Sequence, residues 1–271
     1  MNLVSDWSMA AKAAILVFSI ATIRYFVIAG AAFFYFQKKK KYGYRKIQKK
    51  EPKREMIFHE IKWSVLSLLI FGLLSAGNSF LAYQGHMKIY TSVEEFGALY
   101  LLASFVVLII LHDTYFYWVH RFMHWNKIYR FVHLVHHKST NPTPFAAFSF
   151  HPLETLLEAA MIPLLLLVMP LHPVVLLLFA LFSNILNVMG HLGYEIFPSG
   201  FTRGTFWFMN TSTHHNQHHS KFHCNYGLYF NFWDRIMKTN HKTYHDTFET
   251  IVHPPCNDNE TPVSGLLQEL T

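Results

Sequence analysis

The sequence predicts an all-α fold: a multi-pass membrane domain of about four spanning helices, one pair forming a hairpin, with a cytosolic histidine-rich cap. Three observations lead there. Of 271 residues, 52% are hydrophobic and only 14% charged, well under the quarter expected of a soluble domain. The apolar residues are gathered into four or five long stretches. The formal net charge of +7 is concentrated in one block between the first two of them.

The first stretch, residues 13–36, is long enough to cross a bilayer and is interrupted by Arg24 and a few small polar residues. It reads as an anchor and not as a cleaved leader, because no basic segment precedes it and the basic block follows it. That block, residues 38–54, holds Lys38, Lys39, Lys40, Lys41, Arg45, Lys46, Lys49, Lys50, Lys53 and Arg54 against Glu51. Flanked by apolar segments, it fits a cytoplasmic loop under the positive-inside rule and argues against nucleic-acid binding. Residues 65–82 carry no charge and form the second span. Residues 98–119 are apolar until His112 and Asp113 and form the third. Residues 155–169 and 174–190 are shorter runs on either side of Pro170 and Pro173. Proline breaks helices and favours turns, so this pair is expected to cross and return as a hairpin.

With the basic block fixed in the cytoplasm, the crossings place the loop 83–97 outside and return the ends of span three and of the hairpin to the cytoplasmic face. From Pro198 the chain turns polar and aromatic, as a cap packed under the helices. The expected division is 1–95 for the N-terminal helices and basic loop, 96–250 for the histidine-bearing domain, and 251–271 for a short tail. Cys224 and Cys256 are too few and too far apart for a disulfide framework and are read as reduced structural residues. The final residues carry no di-lysine or KDEL-type signal, so a bacterial inner membrane and the endoplasmic reticulum both remain open.

Nine of the 19 histidines are clustered. His120 and His124 form H-x3-H; His133, His136 and His137 form H-x2-H-H; His191 stands alone; and His215, His218 and His219 repeat H-x2-H-H. Positions i and i+4 share one helix face, so His120 and His124 can grip one ion. H-x2-H-H can give two nitrogens to one ion and the third to a neighbour. A structural zinc takes four ligands and a catalytic zinc three. Nine therefore suit two metals with four or five nitrogens each, and imidazole suits iron, zinc and copper. The clusters lack the bridging carboxylates of a hydrolytic two-zinc site, which favours two irons reacting with oxygen.

Asp113, Tyr117, His120 and His124 follow at i, i+4, i+7 and i+11 on one face. An ionisable residue in a span needs a partner, and Asp113 is expected to accept a hydrogen bond from a ligand imidazole. Asn187, four residues before His191, is placed to hold a metal-bound water. These two are the expected catalytic-site residues beside the ligands. His151, His214 and His223 are weaker supporting candidates. Tyr115, Tyr117, Trp118, Trp125 and Tyr129 read as an interfacial aromatic belt, and His59, His86, His172, His241 and His253 as ordinary interfacial or hydrogen-bonding histidines.

From Asp113 to Thr239 the chain resembles the fatty acid hydroxylase/sterol desaturase superfamily of membrane di-iron enzymes. The motifs are D-T-Y-F-Y-W-V-H-R-F-M-H (113–124), H-L-V-H-H (133–137), T-P-F-A-A-F-S-F-H-P-L-E (143–154), H-H-N-Q-H-H (214–219) and N-Y-G-L-Y-F-N-F-W-D-R (225–235). The resemblance implies a cytosolic di-iron centre with O2 as co-substrate. It also implies a membrane lipid substrate, hydroxylated or desaturated, and as ligands His120, His124, His133, His136, His137, His215, His218 and His219, with His191 matching the histidine after the hairpin. The nearest look is the C-5 sterol desaturase branch, although Asn216 stands where that branch typically has Thr. Other branches act on fatty acyl chains, sphingoid bases or carotenoids. No fused cytochrome b5 domain is visible, so a separate cytochrome b5-like or ferredoxin-like electron donor is expected. A metal-transport or metal-storage membrane protein is the alternative reading. Transport sites usually lie near the bilayer midplane, whereas these ligands fall beyond the ends of the spans.

Overall fold

In the computed structural model, which describes residues 3–38 and 40–253, the chain is helical throughout; among the described residues no β-strand forms, only isolated bridges. Cys256 and nearly all of the expected tail 251–271 lie outside the described residues. In order come α1 (Leu3–Lys38), α2 (Arg54–Tyr83) and α3 (Gly97–Met123), then the short α4 (Tyr129–Val132) and α5 (Leu134–His137). A 3-10 turn at Pro144–Phe148 leads into α6 (Pro152–Ala159), α7 (Met161–Val168) and α8 (Pro173–Gly190). The cap holds α9 (Ser212–Lys221), α10 (Phe232–Ile236) and α11 (Tyr244–Val252).

Four helices are long and apolar enough to cross a membrane: α1 over Ala10–Phe36, α2, α3 and α8. The expected hairpin differs in its first arm, which is two short helices joined at Ala160 and not one span. Pro163 lies in the first turn of α7, where its missing N–H disturbs the fewest bonds. The hairpin tip packs on the 83–97 loop. Lys88 N–H donates to Leu166 O at 2.7 Å, Leu171 N–H to Lys88 O at 3.0 Å and Tyr100 Oη–H to Pro170 O at 2.9 Å. Loop and tip therefore share one end of the bundle. The histidine clusters occupy the other end, where Ile47 N–H of the basic segment donates to Gly193 O at 3.0 Å.

Polar residues inside the spans have structural partners. α1 and α2 approach so closely that a Cβ on Gly72 would stand 3.0 Å from Phe18 Cβ. Between them, Tyr25 Oη and Ser64 Oγ both donate to Phe145 O, at 2.8 and 2.9 Å, and Ser67 Oγ to Phe150 O at 3.2 Å. The Glu60 carboxylate accepts from the N–H and hydroxyl of Thr143. Non-helical backbone at the bilayer edge is tolerated only when protein groups satisfy it, and α1 and α2 supply that here for residues 143–150.

Asp113 serves the same purpose on α3, in place of the expected bond to an imidazole. Its Oδ1 accepts the N–H groups of Tyr229 at 2.8 Å and Phe230 at 3.2 Å. Asp113 lies ten residues before the end of α3 at Met123, about 15 Å along the axis, so the cap loop is drawn well into the span register. Tyr117 is also corrected. It is fully buried, bonded to Thr239 Oγ1 at 3.0 Å and stacked on Trp233, whereas Trp118 and Trp125 are exposed as a belt requires.

An Asp113→Ala variant leaves two buried N–H groups unpaired, each costing about 1–3 kcal/mol. Its thermal midpoint in detergent is expected to fall clearly, whereas Asp113→Asn, which keeps an acceptor oxygen, should stay nearer the parent. Equal midpoints for the alanine variant and the parent would contradict this role.

Candidate metal centre

The nine clustered histidines converge at the cap end of α3 and α8 and separate into two groups. His120, His124, His133, His137 and His218 form one, and His136, His191, His215 and His219 the other. Within each group the candidate ligand atoms lie within 4.8 Å of one another, and all nine residues are buried. Local spacing explains the division. His133 and His137, one turn apart, face the first group, while His136 between them faces the second. On α9, His215 and His219 pair in the second group and His218 crosses to the first.

Three backbone carbonyls fix ring orientation. Nδ1–H donates from His120 to Tyr226 O at 2.8 Å, from His218 to Cys224 O at 2.7 Å and from His191 to Asn187 O at 2.8 Å. In a neutral imidazole the other nitrogen then carries only a lone pair. His120 Nε2 nonetheless lies 3.0 Å from His133 Nε2, and His218 Nε2 lies 3.2 Å from His124 Nε2. In the second group His191 Nε2 is 3.0 Å from His215 Nε2 and 3.2 Å from His219 Nε2. Protons do not relieve this crowding. Burial first, then neighbouring imidazoles, pushes His133, His136, His137, His215 and His219 well below the ordinary histidine value. Burial likewise takes His191 down to about 4. Converging neutral lone pairs of this kind fit a metal cation in each group.

The surrounding contacts include groups the sequence reading had not assigned. Glu154 Oε1 faces His133 Nδ1 at 2.7 Å, both side chains buried. This is the imidazole–carboxylate bond that had been expected of Asp113. Burial, then nearby Glu158, raises the Glu154 carboxyl well above its ordinary value. Asp234 is a second hub. Its oxygens accept from the N–H groups of Tyr226 and Gly227 and from Thr239 Oγ1, and lie 3.3 Å from His214 Nε2. Burial opposes its ionisation, but His214, Thr239 and Gly227 outweigh that and hold it at about 2. A Cβ on Gly227 would come 2.6 Å from Phe230 O and 2.9 Å from Asp234 Oδ2, so only glycine fits. Glu195 accepts from Thr213 N–H and Oγ1 at the start of α9, seating the last cluster.

Asn187 donates Nδ2–H to Ala147 O at 2.6 Å, and its carbonyl holds His191. It positions a ring; the expected water contact is not what its amide nitrogen makes. His151 caps α6 by accepting from Leu153 N–H, His214 meets Asp234, and His223 is exposed. His59, His86, His172, His241 and His253 belong to neither group. Glu154, Glu195 and Asp234 carried one usable signal: each is an acid within or beside an apolar or histidine motif, where burial demands a partner.

A family model described as fatty acid hydroxylase matches residues 105–239, a stretch containing all nine histidines. The chain is 31% identical over 185 residues to lathosterol oxidase of Homo sapiens, covering 68% of this chain and 60% of that protein. With the lathosterol oxidase of Mus musculus the identity is 31% over 218 residues, covering 80% and 70%. With the Delta(7)-sterol 5(6)-desaturase ERG3 of Saccharomyces cerevisiae it is 31% over 179 residues, covering 65% and 47%. The matched part thus spans 60% of the human protein and about half of the yeast one. No solved structure matches.

Two outcomes follow from the geometry. Glu154→Gln replaces the carboxyl group that faces His133 Nδ1 and should weaken metal retention about 10- to 100-fold in a chelator titration; unchanged retention would contradict the assignment. In metal-free protein, His191 has a folded value of about 4 against an ordinary 6.5, so the unfolded chain binds more protons between them. Its contribution is intact above pH 6.5 and is lost as pH falls towards 4. Denaturation midpoints of stripped protein on either side of that window should show the drop.

Proposed function

Because the chain belongs to the fatty acid hydroxylase family, we propose that it is a membrane oxidoreductase that uses two irons and O2 to oxidise an unactivated C–H bond of a lipid. The observation that carries this reading is the pair of adjoining histidine groups, five and four nitrogens, with no carboxylate among the candidate ligands. Bound iron would supply the activation of O2 that such a bond requires. The protein's own share is positional. Carbonyls of Tyr226, Cys224 and Asn187 hold three rings with Nε2 inward, Glu154 backs a fourth, and α3 and α8 bring the site to the edge of the apolar bundle.

Hydroxylation of R–H by O2 with two electrons and two protons gives R–OH and one water. Desaturation with the same inputs gives an alkene and two waters. Both need electrons from outside, so a separate cytochrome b5-like or ferredoxin-like donor belongs to the reading. The centre then faces the cytoplasm, at the end where the basic segment lies. The names of the relatives, lathosterol oxidase and Delta(7)-sterol 5(6)-desaturase, make a sterol ring the first substrate class to test and desaturation the first outcome.

The deciding experiment compares lipids of cells with and without the gene. A gain of one oxygen marks a hydroxylase and a loss of two hydrogens a desaturase; an unchanged lipid profile together with metal uptake into proteoliposomes would favour transport instead. Purified protein is expected to hold two irons per chain. His136→Ala should lose metal from the second group and all lipid oxidation while still inserting into membranes, and full activity in that variant would overturn the proposal.

A further inference from the structure

Residues 229–236 lie deeper than a water-exposed cap would. Besides the two N–H bonds to Asp113, Trp233 donates Nε1–H to Thr114 Oγ1 at 3.1 Å and meets Trp118 edge-on at 5.4 Å. Asp113 and Thr114 belong to a candidate span, so α10 and the loop before it run alongside α3 within its apolar length. This segment and the turn at 203–207 leave four large apolar side chains uncovered. Phe206 is 51% exposed, Trp207 39%, Phe232 42% and Ile236 66%. Trp207 packs edge-on against Phe232 at 5.7 Å, and the Trp233–Trp118 contact joins the patch to the outward row of Trp118 and Phe122 on α3.

Cations border this patch. The Arg235 guanidinium covers the Trp207 ring at 4.7 Å and donates to the carbonyls of Thr202 and Trp207. With Arg203 and His245 it lines an open groove. Arg203 pairs with Asp246, while Arg235 has no ion pair among the described residues. Aromatic rings beneath arginines are the pattern of a membrane–water boundary, with apolar bodies in the acyl region and charges at the headgroups.

We propose that residues 201–208 and 229–236, on either side of α9, form a monotopic foot, entering the same leaflet that the cap ends of α3 and α8 reach. Phe206, Trp207, Phe232 and Ile236 contact acyl chains, and Arg203 and Arg235 take lipid phosphates at its edge. Depth and continuity with the lipid-facing side of α3 favour a bilayer over a soluble protein, which would need this face to stand in water. The inference rests on the reading of α3 as a span and is independent of the reaction catalysed.

The test uses the full chain in phospholipid nanodiscs containing anionic lipid, with a nitroxide on Ile236→Cys and, separately, on Phe206→Cys, in a Cys256→Ser background. Leu102→Cys on the lipid face of α3 and Lys242→Cys in the cap serve as references. Collision with dissolved oxygen at positions 236 and 206 should match position 102. Collision with a water-soluble nickel chelate should be several-fold lower than at position 242. Nickel accessibility equal to position 242 would overturn the proposal in favour of a water-exposed docking face. Protection from both reagents would overturn it in favour of a protein–protein contact. Cys224 is buried, and the parent without an added cysteine reports any label it takes.

Discussion

Nine imidazoles share a small buried volume, and in three of them a carbonyl partner on Nδ1 leaves Nε2 with a lone pair aimed at a neighbouring ring. That electrostatic conflict organises the cap end of the molecule. The carbonyls of Tyr226, Cys224 and Asn187 hold ring nitrogens in the conflicting arrangement, and burial keeps protons from relieving it. Three rings held in this way, among nine that converge, fit the binding of cations.

The second constraint is lipid. The groups that fix the site come from irregular backbone, which the hydrocarbon region does not tolerate unpaired. Polar side chains in the spans resolve this. Tyr25, Ser64, Ser67 and Glu60 support residues 143–150, and Asp113 supports 229–230. An acid in a span is expensive, and here the expense is offset by backbone donors that would otherwise be stranded. The family motif residues thus divide between imidazoles facing the centre and carboxylates facing backbone or rings.

Much of this was legible in the sequence because it rests on local periodicity. Apolar length gave α1, α2, α3 and α8; helical spacing gave the pairing of His120 with His124 and the two-and-one division of each H-x2-H-H, though not which ring goes where; the proline pair gave the turn between α7 and α8. Partnerships between distant segments were not legible. Asp113 lies on the same helix face as His120, yet it turns to Tyr229, 116 residues away, because the loop's N–H groups compete for it. Tyr117 looked like a belt residue until the cap segment with Trp233 covered it. Glu154 sat in a motif with no hint that His133 would reach it. The break at Ala160 was hidden inside a continuous apolar run, where composition does not register a change of helix.

The allocation of adjacent histidines to opposite groups also ties the two groups to the same backbone. His136 and His137 are consecutive on α5, as are His218 and His219 on α9, and in each pair one ring serves each group. Under the two-iron proposal the two sites would then stand on the same two helices, so a substitution that shifts α5 or α9 would disturb the rings of both groups at once.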